Sequence, residues 1–153
     1  MGSRTWIVIV NYRTPELAVD CLRSLFSQVD ALNNGRVLVI DNNSGDDSVA
    51  KLQSAIAQNS WSDWAEVMPI DRNGGFAYGN NAGIRAALAS PDRVDYVMLL
   101  NPDTIARNGA IGALVDFMNA HPRAGIAGSL LENADGGVDC SAHRIHSPLS
   151  ELD

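Results

Sequence analysis

Long hydrophobic runs are missing from this chain. The longest, such as Val97 to Leu100, fall far short of the ~20 apolar residues that cross a bilayer, and the N-terminus lacks the charged-then-apolar pattern of a signal peptide. The chain therefore reads as cytoplasmic, with no membrane span. Cysteine is scarce as well. Cys21 and Cys140 are the only two and have no C-x-x-C spacing, which excludes a disulfide framework and a cysteine zinc site and leaves two reduced thiols. Basic residues are outnumbered, eleven Lys and Arg against eighteen Asp and Glu for a net charge of −7, and nowhere gather into a phosphate-binding footprint. Nucleic acid is thus not an expected partner.

What is present is ordinary globular material. With 153 residues, 46% apolar and 19% charged, the chain suits one folded domain spanning 1–153, with Met1-Gly2-Ser3 read as an expression remnant. Short β-branched runs, polar turns and helical stripes alternate along it, which is the α/β signature. Strands are expected over Thr5 to Val10, Arg36 to Ile40, Ala65 to Ile70, Val94 to Leu100 and Gly125 to Leu131, with Gly136-Gly137 turning into a last extended piece. The first is so continuously apolar that both its faces should be buried.

Helices fill the intervals. Thr14 offers a capping hydroxyl and Pro15 a first helical position ahead of the stripe Leu17, Cys21, Leu22, Leu25 and Val29. Asp46 or Asp47 caps a second helix that buries Val49, Leu52 and Ile56. Trp61 and Trp64 fall in a polar loop. A third helix runs from about Ala77 to Ala89, and a fourth starts at Asn108 with Ile111, Leu114, Val115 and Met118 inward and Pro122 after its end. No repeat or low-complexity tract interrupts the pattern.

In an open parallel sheet the ligand sits beyond the carboxyl ends of the strands, where helix N-termini and loop polar groups converge. Four strand ends here are polar: Asn11-Tyr12-Arg13, Asp41-Asn42-Asn43-Ser44, Asp71-Arg72-Asn73-Gly74-Gly75 and Asn101-Pro102-Asp103-Thr104. Turn composition accounts for any one of them, but less easily for all four. Two nucleotide motifs fail. Gly74 and Gly79 have P-loop spacing, but Asn80 and Asn81 stand where Lys and Ser or Thr are required, and Asn11 to Pro15 contains no glycine for a dinucleotide fingerprint. Asp103, delivered by an apolar strand to the cleft mouth, suits magnesium or manganese, which share their shell among one or two carboxylates, waters and substrate phosphates. An Asx turn after Pro102 is the plainer alternative.

The segments Val8-Ile9-Val10-Asn11-Tyr12-Arg13, Val39-Ile40-Asp41-Asn42-Asn43-Ser44, Asn73-Gly74-Gly75-Phe76-Ala77-Tyr78-Gly79-Asn80-Asn81-Ala82-Gly83 and Leu99-Leu100-Asn101-Pro102-Asp103 resemble, in order and spacing, the nucleotide-sugar half of family 2 glycosyltransferases, especially bacterial rhamnosyltransferase-type members. The resemblance spans roughly Trp6 to Leu131 and implies a GT-A fold, a mostly parallel Rossmann-like sheet flanked by helices. It further implies an inverting hexosyltransferase of polysaccharide biosynthesis that takes a UDP- or dTDP-sugar donor and a glycan or lipid-linked acceptor. By the same resemblance Val10, Asn11 and Tyr12 line the base pocket and Asp41 accepts the pyrimidine ring N–H. Asn73, Gly74 and Gly75 admit the ribose and diphosphate, Asn43 and Asn81 complete the donor-binding set, and Asp103 holds Mg2+ or Mn2+. Asn101 replaces the first Asp of the family's D-x-D motif, which removes one charge but keeps a hydrogen-bonding group.

The family's general base lies in an acidic stretch well downstream of the metal motif. Glu132, Asp135, Asp139, Glu151 and Asp153 have no such context, and His143 and His146 read as exposed tail residues, so the catalytic residue is unassigned and the chain reads as a donor-binding portion lacking its acceptor half. An apolar sheet edge left uncovered favours a homodimer. A sugar-phosphate nucleotidyltransferase would need a Gly-rich loop after the first strand, which is missing. A noncatalytic nucleotide-sugar-binding or small α/β binding module is the remaining alternative, and its receiver form lacks an acidic pair at the first strand end.

Overall fold

The computed structural model describes residues 2–133 and 135–139. Strand β1, Thr5–Asn11, is buried at every position. A strand can be apolar on both sides only when both faces are covered, and the chain achieves this with four parallel strands in the order β3-β2-β1-β4. β2 is Val37–Asp41, β3 Ala65–Pro69 and β4 Tyr96–Leu100. The register pairs Asn11 with Asp41 at the polar ends of β1 and β2, and Ile9 with Leu100 across β4.

Side chains alternate between the two faces of the sheet. Ile7, Ile9, Val37 and Val39 pack with Cys21, Leu22 and Leu25 of α1 (Pro15–Leu25) and with Leu52 and Ile56 of α2 (Ser48–Gln58). Trp6, Val8, Val10, Leu38 and Ile40 pack against Ala82, Ala86 and Ala87 of α3 (Phe76–Leu88). Fully burying one such aliphatic side chain contributes roughly 1.5–3 kcal/mol, so these two layers dominate stability. α3 approaches closely because Gly79 and Gly83 face Val10 and Val8; an added Cβ would lie 2.8 Å and 2.5 Å from their methyl groups. A 3-10 turn, Phe26–Leu32, follows α1 and supports α4, Ala110–Ala120, through Gln28 Oε1, which accepts the Ile111 N–H at 3.2 Å.

Several expectations are corrected. Trp61 and Trp64 do fall in the loop between α2 and β3, but both are buried in the core, their rings 5.6 Å apart, because Trp61 N–H donates to the Ile56 carbonyl and folds the chain back onto α2. No strand forms over Gly125 to Leu130, where no neighbouring strand offers a ladder; only Leu131–Glu132 (β5) pairs, antiparallel, with Val138–Asp139 (β6) around Gly136-Gly137. Thr14 makes no side-chain cap, and its hydroxyl instead donates to Asn11 Oδ1 at 3.3 Å. Asp46, rather than the N-cap Asp47, receives the Ser48 N–H at 2.9 Å. α4 begins after a left-handed Gly109, two residues beyond Asn108. Leu17 is exposed because the first turn of α1 extends past the end of the sheet. Cys140, His143, His146, Glu151 and Asp153 lie outside the described residues.

Candidate functional site

The floor of the site is a hydrogen-bonded knot at the ends of β1 and β2. Asn11 and Asp41 are both buried. Asn11 Nδ2 donates to Asp41 Oδ1 at 2.8 Å, Ser44 Oγ donates to the same oxygen at 2.6 Å, and Ser44 N–H donates to Asp41 Oδ2 at 3.0 Å. The other end of the Asn11 amide accepts the Thr14 N–H at 3.2 Å. Arg13, in the left-handed region at φ 59°, donates its N–H to Ser44 Oγ and its Nε–H to the Ser44 carbonyl. A carboxylate offers about four acceptor positions, so after these three bonds one position remains, on Asp41 Oδ2.

A second arrangement lies on the opposite face of β2. Asn42 Nδ2 donates to Asn73 Oδ1 at 2.9 Å and to the Gly75 carbonyl at 3.2 Å, while Gly75 N–H donates to Asn73 Oδ1 at 2.9 Å. Gly75 sits at φ 84°, ψ 178°, a conformation essentially reserved for glycine. No side chain caps α3, so its first N–H groups, just after Gly75 and Phe76, are open at this end of the sheet.

Between these arrangements and the end of β4 runs a groove lined by Val10, Tyr12, Thr14, Leu17, Asn42, Asn73, Gly75, Phe76, Asn101, Pro102 and Asp103. Asp103 is exposed there and forms no ion pair with any described lysine or arginine. Beneath it, Cys21 is buried with its thiol 3.7 Å from the Asn101 carbonyl oxygen. Burial, reinforced by the charge of Asp103, pushes that thiol up to about 12, so it stays protonated and inert at neutral pH. Another depression, between β4 and α4, is lined mainly by Val97, Met98, Leu114, Val115, Met118 and Ile126, with Thr5, Asp95 and Tyr96 its polar members, and it lies away from the strand carboxyl ends where the polar loops gather. The strand-end groove is the better candidate site.

Among the sequence-predicted residues, Val10, Tyr12, Asn73, Gly75, Asn101 and Asp103 meet along the groove. Asn11 and Asp41 lie behind it as its framework. Asn43, Gly74 and Asn81 are exposed and are not among its lining residues. Gly74 has a packing reason to lack a side chain, since an added Cβ would fall 2.3 Å from Tyr78 Cγ. Asn42, Thr14, Leu17, Phe76 and Pro102 were not anticipated as lining residues. For Asn42 the signal was available: it continues the β2 parity of Leu38 and Ile40, the face that meets α3.

Among the described residues no three His, Cys, Asp or Glu side chains gather into a metal cage. The donor set at the groove, one Asp103 carboxylate beside the Asn101 amide, nevertheless fits a hard cation that keeps most of its waters. No described helix is long and apolar enough to cross a membrane.

The sequence matches the family described as Glycosyl transferase family 2 over residues 6–151. A comparison with curated proteins finds no match. Among solved structures the fold is similar to S. aureus TarS 1-349, at a TM-score of 0.60 and 18% identity over 78% of this chain and 33% of that one. TarS in complex with UDP-GlcNAc gives a TM-score of 0.60 at 16% identity, covering 78% of this chain and 32% of that one. The mannosyltransferase PcManGT from Pyrobaculum calidifontis, in complex with GDP-Man and Mn2+, gives 0.61 at 18% identity, covering 75% of this chain and 32% of its own. These likenesses establish the GT-A architecture, and the chain spans about a third of the solved structures it matches.

Proposed function

This chain belongs to glycosyl transferase family 2, and from that membership we propose that its strand-end groove binds a UDP- or dTDP-sugar whose sugar passes, with inversion, to a glycan or lipid-linked acceptor. The observation that carries the reading is Asp103: an exposed carboxylate without an ion-pair partner among the described residues, set at one end of a groove otherwise lined by amides, glycine and aromatic rings. The resemblance to TarS bound to UDP-GlcNAc and to the mannosyltransferase bound to GDP-Man and Mn2+ supports a nucleotide-sugar ligand here.

In this reading Tyr12 and Val10 face the base, and the remaining acceptor position of Asp41 Oδ2 takes a pyrimidine ring N–H, which cytosine and purine rings do not present in the same place. Asn73 and Gly75 bring backbone and amide groups to the ribose and diphosphate, with Asn43, Gly74 and Asn81 bordering the same loops. The open N-terminus of α3 favours the diphosphate charge. Asp103 and Asn101 would hold Mg2+ or Mn2+, which supplies Lewis-acid stabilisation of the leaving diphosphate. Among the described residues Asp103 is the groove's one acidic lining residue, and it is taken up by that role, so no residue here is assigned as general base. β4 has a neighbour on one side only among the described residues, and its exposed Leu99 supports a homodimer through that edge.

Titration calorimetry with UDP, dTDP and ADP, with and without Mn2+, tests the reading. UDP or dTDP should bind, and more tightly with the metal; ADP binding equally well would remove the pyrimidine assignment, and no binding of any nucleotide would remove the donor site.

A further inference from the structure

Asn42 is 3% exposed, and its Oδ1 is a buried acceptor with no donor among the described residues. Such groups are rare, and an unsatisfied one is destabilising. Its orientation does not depend on choosing between two similar amide ends. The Gly75 backbone N–H, which can only donate, fixes Asn73 Oδ1 as an acceptor, and Asn73 Oδ1 together with the Gly75 carbonyl then fixes the Asn42 NH2 as the end that faces them. A flipped Asn42 would set oxygen against two oxygens. The orphaned end is therefore Oδ1, in a side chain that lines the groove with Tyr12, Asn73 and Phe76. Tyr12 and Phe76 are 41% and 57% exposed, so moving them aside costs little buried contact.

We infer that Asn42 Oδ1 is a specificity-determining acceptor for a ribose hydroxyl of the nucleoside part of the ligand. This rests on the donor-site reading above and adds to it a residue on the other face of β2 from Asp41. The same amide performs two tasks at once. Its NH2 end ties the Asn73–Gly75 loop to β2, and its carbonyl end reads the ligand, so a bound nucleoside completes the hydrogen bonding of this buried acceptor.

The test is a cycle of ligand and protein variants. UDP, 2′-deoxy-UDP and 3′-deoxy-UDP are titrated, with Mn2+, into the wild-type chain and into Asn42→Ala. In the wild type one analogue should bind about tenfold more weakly than UDP, and in Asn42→Ala that difference should vanish. The identity of the analogue tells which hydrogen is read. A role confined to holding the loop would weaken all three ligands by one factor, leaving the discrimination intact, and would overturn the inference. If the wild type binds UDP and every analogue equally, the inference also falls while the donor site stands; if UDP does not bind at all, the donor-site reading falls with it. Should Asn42→Ala fail to fold, Asn42→Ser carries the same comparison.

Discussion

The Asn11 amide nitrogen lies 2.8 Å from Asp41 Oδ1, tying the polar ends of β1 and β2 together at a paired position in the register. Both side chains are buried, so this bond joins two loops that would otherwise leave the sheet independently. Replacing Asn11 by Ala strips a donor from the carboxylate and an acceptor from the Thr14 N–H. The expected loss is about 1–3 kcal/mol in urea denaturation. A change within a few tenths would mean that the knot is not a unit.

Gly83→Ala sets helix propensity against packing. Alanine in a helix gains roughly 0.5–1 kcal/mol over glycine, but its Cβ would lie 2.5 Å from Val8 Cγ1 in the centre of the sheet, and such overpacking costs about 1–3 kcal/mol. Net destabilisation is expected, with partial recovery in the double variant Gly83→Ala, Val8→Ala. Additive losses in the double-mutant cycle would show that α3 and β1 do not constrain each other here.

Cys21 predicts an alkaline limit. Its folded-state thiol is raised from an ordinary 9.0 to about 12 by burial and by Asp103. Above the unfolded value the unfolded chain releases the proton first, so the native state holds more protons and stability falls as pH rises through the interval up to the folded value. Stability should be flat in this respect below about pH 8. Above it, the wild type should decline more steeply than Cys21→Ala, by up to about 1.4 kcal/mol per pH unit. Parallel curves would contradict the burial. The native thiol should also resist iodoacetamide at neutral pH, as peptide mapping of the segment around Cys21 would report.

Asp103→Ala removes the only acidic residue lining the groove among the described residues. Because Asp103 is exposed and makes no ion pair among the described residues, folding should be unaffected within about 0.5 kcal/mol. The increment that Mn2+ adds to UDP or dTDP affinity should disappear, leaving the metal-free affinity in place. An undiminished Mn2+ effect would place the cation elsewhere.

How much of this was legible beforehand depends on which force decides each feature. The two-sided burial of β1 and the parity of β2 follow from residue alternation, which the sequence displays directly. The polar strand ends were legible for the same reason: Asn11, Asp41, Asn73 and Asp103 each terminate or follow an apolar run. What escaped was set by contacts distant in sequence. Trp61 and Trp64 sit among Ser60, Ser62 and Asp63, and only the return of the chain onto α2 buries them. Gly125 to Leu130 offers one β-branched residue, Ile126, among glycines, Ala127 and Ser129, which favour strands little; strand formation also requires a partner, and Ile126 is 92% exposed. Within the site, the resemblance points to Asp41, and the structure adds its neighbour Asn42, which lines the groove.

That neighbouring pair has a consequence for how the protein could change. Asp41 anchors the end of β2 through Asn11 and Ser44, while Asn42 turns the other way, toward Asn73 and Gly75. A library randomised at 12 and 76, both exposed, would vary the groove wall without touching either hydrogen-bonded arrangement, whereas one that included 11, 41 and 44 would lose stability in many members. A lineage could therefore exchange one nucleotide for another along the first set at little cost in folding.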